Sequence, residues 1–211
     1  TATDMVAGQL RAALADASIG AVVFDVDSPG GAVSGVAELA AEIHASRGKK
    51  PLIAVANSLM ASAAYWIGSQ ADEVWVTPGG EAGSIGVYAA HQDVSGALEK
   101  DGVRVSLVSA GRYKTENNQF EPLTDEGRAA IQARVDGFYE MFVAAVARGR
   151  GYAEVTVRNG FGEGRLLAAQ RAVEEHLADR VGTLDEAVNG AAKLADRRAR
   201  ARAEAVRLSV M

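Results

Sequence analysis

From Ala21 to about Ser109 the chain alternates short apolar runs with amphipathic helical patterns, and few folds accept that rhythm. AVVFDVD at 21–27 reads as a strand. After the turn SPGG at 28–31 comes VAELAAEIHASRG, with Val36, Leu39, Ala40 and Ile43 at helical spacing and Gly48 as a stop. PLIAVAN at 51–57 has the continuous apolar character of a strand covered on both faces, and a small-residue helix is expected over about 61–70. EVWVTP (73–78), SIGVYAA (84–90) and VRVSLVS (103–109) read as further strands, with a short helix, SGALEKDG, at 95–102. A helix over 4–16, with Met5, Leu10 and Leu14 on one face, precedes them. This order predicts an α/β domain with mostly parallel strands, right-handed crossovers and functional groups at strand ends.

The texture changes at Leu123. Thr124 can cap a helix whose first turn carries Asp125 and Glu126 and whose face shows Ile131, Val135, Phe138, Phe142 and Val146. Two more helices, about 164–177 and 184–208, flank DRVGTL, so the C-terminal part is expected to be helical. The division expected is a domain over 1–190 and a basic helical extension over 191–211, whose DRRARARAEAVR reads as a solvated face. The longest uncharged stretch, Pro51–Ala71, contains Asn57, Ser58, Ser62, Ser69 and Gln70 and divides into strand and helix, so no membrane span is expected within 1–211. Because the chain begins at Thr1 rather than Met, trimming is expected, and an anchor upstream stays open.

Composition narrows the chemistry. With 22 basic and 27 acidic residues the net charge is -5, which gives nucleic acid no purchase. There is no cysteine, hence no thiolate nucleophile and no disulfide framework, and covalent chemistry falls to Ser, Thr, Lys or a carboxylate. No metal or nucleotide motif is present, so no cofactor is expected.

Three segments at strand ends could carry chemistry: Asp27-Ser28-Pro29-Gly30-Gly31, Met60-Ala61-Ser62-Ala63-Ala64-Tyr65 and Gly83-Ser84-Ile85-Gly86. A double-glycine turn lets backbone N–H groups face a cleft with no side chain in the way, as an oxyanion hole requires. Ser62, at a helix start after a buried strand, suits a nucleophile, although serine among alanines also serves simply for helix packing, and Ser58 reads the same way. A serine nucleophile needs a base. His44 and His176 sit in charged surroundings and are expected to be exposed, while His91 follows a predicted strand and precedes Gln92-Asp93. Lys114, in SAGRYKTENNQF, stands apart from Lys49, Lys50, Lys100 and Lys193 because it follows an apolar run directly. A lysine acts as a base only in its neutral form, so on residue type alone it competes with an ordinary solvated loop lysine.

In order along the chain, DSPGG, MASAAYWIGSQAD, GSIGVYAAH, SGALEKDGV, SAGRYK and HLADRVGTLDEAV resemble the signal peptide peptidase A family of serine peptidases, which includes the prohead (capsid-maturation) proteases of tailed phages. The resemblance runs from about Ala21 to Ala187. It implies a crotonase-like fold, shared with the proteolytic subunit of the caseinolytic protease, and a Ser/Lys dyad. Carried over, Ser62 is the nucleophile, Lys114 the general base, Ser84 orients the lysine amine, and the N–H groups of Gly31 and Ala63 form the oxyanion hole. Two departures are Ser62-Ala63-Ala64 where the family commonly has SGG, and RYK in place of a small residue, His and Lys. The family's usual upstream strands are also missing before Asp4.

Further implications of the resemblance are an extended polypeptide substrate (scaffold or capsid protein, or a signal peptide), a closed homo-oligomeric ring, and a cytoplasmic setting in a bacterial or phage-infected cell. GSIGVYAAHQDVSGALEKDGV leans toward the phage branch. Three rival readings stand beside this one: a Ser/His triad using His91 with Asp27 or Asp93, acyl-CoA chemistry on the same scaffold, and an assembly or scaffold-binding module with weak or no catalysis.

Overall fold

The computed structural model describes residues 2–209, with side-chain surroundings through Ala201; the side chains of the expected 191–211 extension beyond that point lie outside what is described. The chain forms two compact units, one made of residues up to Gly86 and from Met141 onward, the other of Val87–Glu140.

The first unit is built on a mostly parallel sheet. Its spine is β2 (Leu52–Ala61), which pairs along Leu52–Ala56 with β1 (Val22–Ser28) on one side and β3 (Glu73–Val76) on the other. Further along, Leu59–Ala61 pair with β4 (Glu81–Gly83), also in parallel. β5 (Leu166–Ala168) adds antiparallel to β4, and β6 (Arg180–Val181) parallel to β3. The order is β5-β4-β2-β3-β6, with β1 pairing β2. Thr77-Pro78-Gly79-Gly80 changes β2's partner: Thr77 N–H and Oγ1–H both donate to Ala56 O, Gly80 N–H returns to Thr77 O at 2.8 Å, and the chain resumes pairing as β4.

Leu52–Ala56 are completely buried, as a strand covered on both faces must be. On one side Ile53, Val55 and Trp75 pack against Ala187 and Ala191 of a long helix, Leu184–Ser209. Helix α1 (Thr3–Ala15) is followed after β1 by α2 (Val36–Ser46), whose buried Val36, Leu39, Ala40 and Ile43 are the expected helical stripe. Each of the larger side chains in that stripe contributes about 1.5–3 kcal/mol by burial. α3 (Ala63–Gly68) packs on α2. Arg47, just past α2, donates to Gln70 O and Gly149 O, each at 2.7 Å. It thereby satisfies carbonyls that helix ends leave without intrahelical partners.

Two expected strands do not form. β4 stops at Gly83, and neither Ser84–Ala90 nor Val103–Ser109 belongs to a ladder. Alternating Val103, Val105 and Leu107 satisfy the side-chain pattern, but a strand exists only where a neighbour accepts its backbone hydrogen bonds, and Val103–Val108 are exposed. The helix expected over 164–177 is instead a 3-10 turn (Phe161–Gly164), β5 and a short helix, Ala169–Glu174. Pairing of Leu166–Ala168 with β4 overrides the helical tendency of a Leu- and Ala-rich stretch. Glu154–Asn159 adds a further helical turn.

The second unit contains α4 (Ser95–Lys100) and the opening turns of α5 (Asp125–Arg150), which continues into the first unit. Val94 N–H donates to Gln119 O at 2.9 Å, tying α4's start to the turns before α5. A cavity of about 650 Å³ within this unit is lined by Val87, Tyr88, Leu123, Ile131 and Val135, with His91 and Arg128 among its polar walls. Among the described residues no helix is long and apolar enough to cross a membrane.

Candidate active site

Ser62 is the junction between β2 and α3, and its backbone is unusual: φ 52°, ψ -123°. For a residue with a Cβ this conformation costs about 1–3 kcal/mol and persists only where its surroundings over-determine it. They do so here. The buried Ala61 ends β2, Ser62 N–H donates to Gly83 O at 2.8 Å, and Ser62 O accepts from Trp66 N–H at 2.9 Å. Although Ser62 occupies the N-cap position of α3, its hydroxyl makes no capping bond, so the oxygen is not spent on the helix.

The double-glycine turn meets this junction. A Cβ on Gly30 (φ +97°) would lie 2.8 Å from Ser62 Cβ, 2.9 Å from Ala61 O and 3.0 Å from Ala63 N. Only glycine allows so close an approach, and two of the three obstacles are backbone atoms. Gly30 N–H is used internally, donating to Ser28 Oγ at 3.2 Å, whereas a Cβ on Gly31 would meet nothing within 4 Å. The double-glycine turn is the signal in the sequence, with Gly31 the expected oxyanion donor; the close approach to Ser62 falls to its neighbour Gly30. Should Ser62 act as a nucleophile, Gly30→Ala, which must displace it, is expected to slow its phosphonylation by a fluorophosphonate on the order of 10²-fold, the cost of a displacement of about 1 Å at a reacting centre, as the rate of labelling would show.

Ser84 follows Gly83 on β4 and also has positive φ, 55°. Its N–H donates to Arg165 O at 2.8 Å. Gly30, Gly31, Ser62, Ala63, Gly83 and Ser84 are thus carried by one framework in the first unit. Buried contacts tie α3 to its surroundings. Tyr65 OH donates to Leu177 O at 2.8 Å in full burial, which pushes its phenol pKa up. Trp66 stacks on Phe142 with ring centroids 4.8 Å apart. Arg150, at the end of α5, makes a two-pronged ion pair with Asp179, whose Oδ2 also accepts Val74 N–H. Arg150 and Asp179 carry no sequence signal, since nothing local distinguishes a partly buried ion pair from charges on a helix face.

The candidate bases are distributed differently. Lys114 belongs to the second unit, exposed, in a turn where its N–H donates to Gly111 O at 3.2 Å. His91, also in that unit, is half-buried with Nε2 2.9 Å from Asn118 O. A carbonyl only accepts, so that nitrogen is the N–H and is engaged. Asp93 Oδ1 accepts Ser95 N–H at 2.8 Å at the start of α4, and hydrogen bonds from Ser95 hold this carboxyl below the usual range. Its carboxylate therefore serves the helix end. His44 is half-buried rather than exposed, because it adjoins the buried stripe of α2; burial, then the cations Arg47 and Arg148, push its pKa down. His176 is exposed, as expected, and stacks on Tyr152. Among the described residues no group of three or more acidic or histidine side chains is placed to hold a metal ion.

Comparison with known proteins adds ancestry to this geometry. The chain is 33% identical over 180 residues to capsid assembly protease C of Escherichia phage lambda, covering 85% of this chain and 40% of the phage protein. It is 33% identical over 189 residues to the head-tail preconnector protein GP5 of Enterobacteria phage P21, covering 90% and 37%. To a putative signal peptide peptidase SppA of Enterococcus faecium the identity is 31% over 188 residues, covering 88% and 54%. The chain thus spans only about two fifths of the phage relatives' length. In fold it is similar to a mutant of the membrane-bound stomatin-specific protease 1510-N, with a TM-score of 0.59 at 14% identity, covering 89% of this chain and 76% of that one. The model of peptidase family S49 matches residues 44–198, a stretch that holds Ser62, Ser84 and Lys114 alike, and the chain belongs to that family.

Proposed function

We propose that this chain is a serine endopeptidase domain in which Ser62 attacks the substrate carbonyl and Lys114 is the general base. The observation that carries the reading is the backbone of Ser62, held at a strained strand-to-helix junction with its hydroxyl unspent and Gly30 packed against it. Neutral Lys114 takes the Ser62 proton as Oγ bonds to the carbonyl carbon, and the N–H groups of Gly31 and Ala63 receive the oxyanion. The lysine ammonium then protonates the leaving amine as the C–N bond breaks. Water, deprotonated by the same amine, releases the acyl group and restores Ser62. Ser84 holds the lysine amine in line. The engagement of Asp93 with Ser95 weighs against a triad that uses that carboxylate, while the bond from His91 Nε2–H to Asn118 O leaves Nδ1 as an acceptor, so His91→Ala is the variant that decides between the bases.

The fold is assigned here as crotonase-like, and the substrate as an extended polypeptide. The phage relatives favour a scaffold or capsid protein, with a released signal peptide as the second reading, and a cytoplasmic setting goes with the first. Assembly into a homo-oligomeric ring would supply cover for Val103–Val108, where Val108 is 99% exposed.

A fluorophosphonate followed by peptide mapping tests the core of the proposal. The expected adduct lies on Ser62 alone. Labelling at another serine, or none in protein that refolds reversibly, overturns it.

A further inference from the structure

The turn that follows Gly160 has four consecutive residues with positive φ: Phe161 (52°), Gly162 (78°), Glu163 (48°) and Gly164 (89°). Two of them carry side chains, so the backbone is held against its own preference. Phe161 anchors the turn by burying its ring edge-on to Tyr152, which in turn stacks on His176. Glu163 N–H donates to Gly160 O at 3.1 Å and Arg165 N–H to Gly162 O at 2.9 Å, closing the loop on itself.

The loop's exit bears on the nucleophile. Arg165 O accepts Ser84 N–H, and the residue before Ser84 supplies the carbonyl, Gly83 O, that accepts Ser62 N–H; both bonds are 2.8 Å. Gly83 (φ +122°) makes this relay possible. A Cβ there would lie 2.8 Å from Arg165 O and 3.0 Å from Leu177 Cδ2. Leu177, through its own carbonyl, holds Tyr65 of α3.

We propose that the Gly160–Arg165 loop is the positioning element of the site: its left-handed turn sets Arg165 O, which sets the Gly83–Ser84 peptide, which holds Ser62 in its strained conformation. Gly83 is the positioning residue through which the relay passes. This rests on Ser62 being the nucleophile. Stored strain at the loop and at Ser62 would then be two ends of one arrangement, each opposing relaxation of the other.

Three variants of the full chain test it, with fluorophosphonate titration counting competent serines and fluorescein-casein reporting turnover. Gly83→Ala forces Arg165 O away and is expected to lower kcat per titrated serine at least tenfold, with KM changed less than twofold. Glu163→Pro acts from an exposed position: proline cannot adopt φ near +50° and has no N–H for Gly160 O, so the turn must unwind. The same kcat loss is expected, in protein that still unfolds cooperatively. Glu163→Gly, which accepts that backbone, should restore the rate that proline removes. If Glu163→Pro lowers thermal stability while kcat per titrated serine stays at the wild-type value, the loop is only structural and the proposal falls. Wild-type protein labelled at a serine other than Ser62 would instead refute the nucleophile assignment, and the positioning role with it.

Discussion

Ser62→Ala is expected to abolish casein hydrolysis, a fall of about 10⁴-fold or more, while the protein stays folded. The side chain removed is one oxygen that caps nothing, and alanine occupies the same backbone with no new clash, so stability should change little. Lys114→Ala is expected to fall as far, because in the proposed dyad nucleophile and base act as a unit and losing either leaves only binding and oxyanion stabilisation. His91→Ala should keep the wild-type rate. Rates measured together with thermal unfolding of each variant decide the matter. An active Lys114→Ala beside a dead His91→Ala would transfer the base to histidine, and an active Ser62→Ala would end the serine mechanism.

The largest effect on stability is expected at the ion pair behind α3. Arg150 is only 7% exposed and Asp179 36%, with both guanidinium-carboxylate contacts at 2.8 Å. Asp179→Ala leaves a nearly buried guanidinium without its carboxylate and strips Val74 N–H of its acceptor. A fully buried pair broken this way costs about 3–5 kcal/mol; the solvent contact of Asp179 brings the expectation to about 2–3 kcal/mol. For a chain of this size that is a drop in Tm of roughly 4–12 °C. Burial pushes the Asp179 carboxyl up, but the hydrogen bond and charge of Arg150 outweigh it and hold the pKa below its ordinary value. A lowered folded-state pKa stabilises above the unfolded value, about 3.9, and that contribution is lost as pH falls through the folded one. The difference between wild type and Asp179→Ala should therefore be full at pH 7 and shrink below about pH 4. Urea unfolding at both pH values would show it, and a difference unchanged by acid would mean that the charge of Asp179 contributes nothing.

How much was legible in the sequence depended on how local the deciding interaction was. The stripe of α2 was readable because Val36, Leu39, Ala40 and Ile43 meet the core through helical periodicity alone. The buried β2 was readable as an unbroken apolar run. Ser84–Ala90 and Val103–Ser109 carry the same kind of signal yet join no ladder among the described residues, while Glu81–Gly83 and Leu166–Ala168 carry almost none and pair with each other. Three residues offer no period to read, and their partners are distant along the chain. His44 missed its expected exposure for a related reason: its charged neighbours at 47, 49 and 50 say nothing about the helix face beside it.

The residue types at the candidate site, Ser62, Gly30-Gly31, Gly83-Ser84 and Lys114, and the family to which they point, follow from sequence because each motif is short, contiguous and recognisable by order. Tertiary structure alone decided that Gly30 rather than Gly31 abuts the serine. It also decided that Ser62 is held by Gly83 O and that a strained turn about eighty residues further along reaches Ser84 through one carbonyl. These are contacts of backbone atoms, which every residue carries alike, so no side-chain pattern announces them; only the path of the folded chain brings a particular N–H and C=O together.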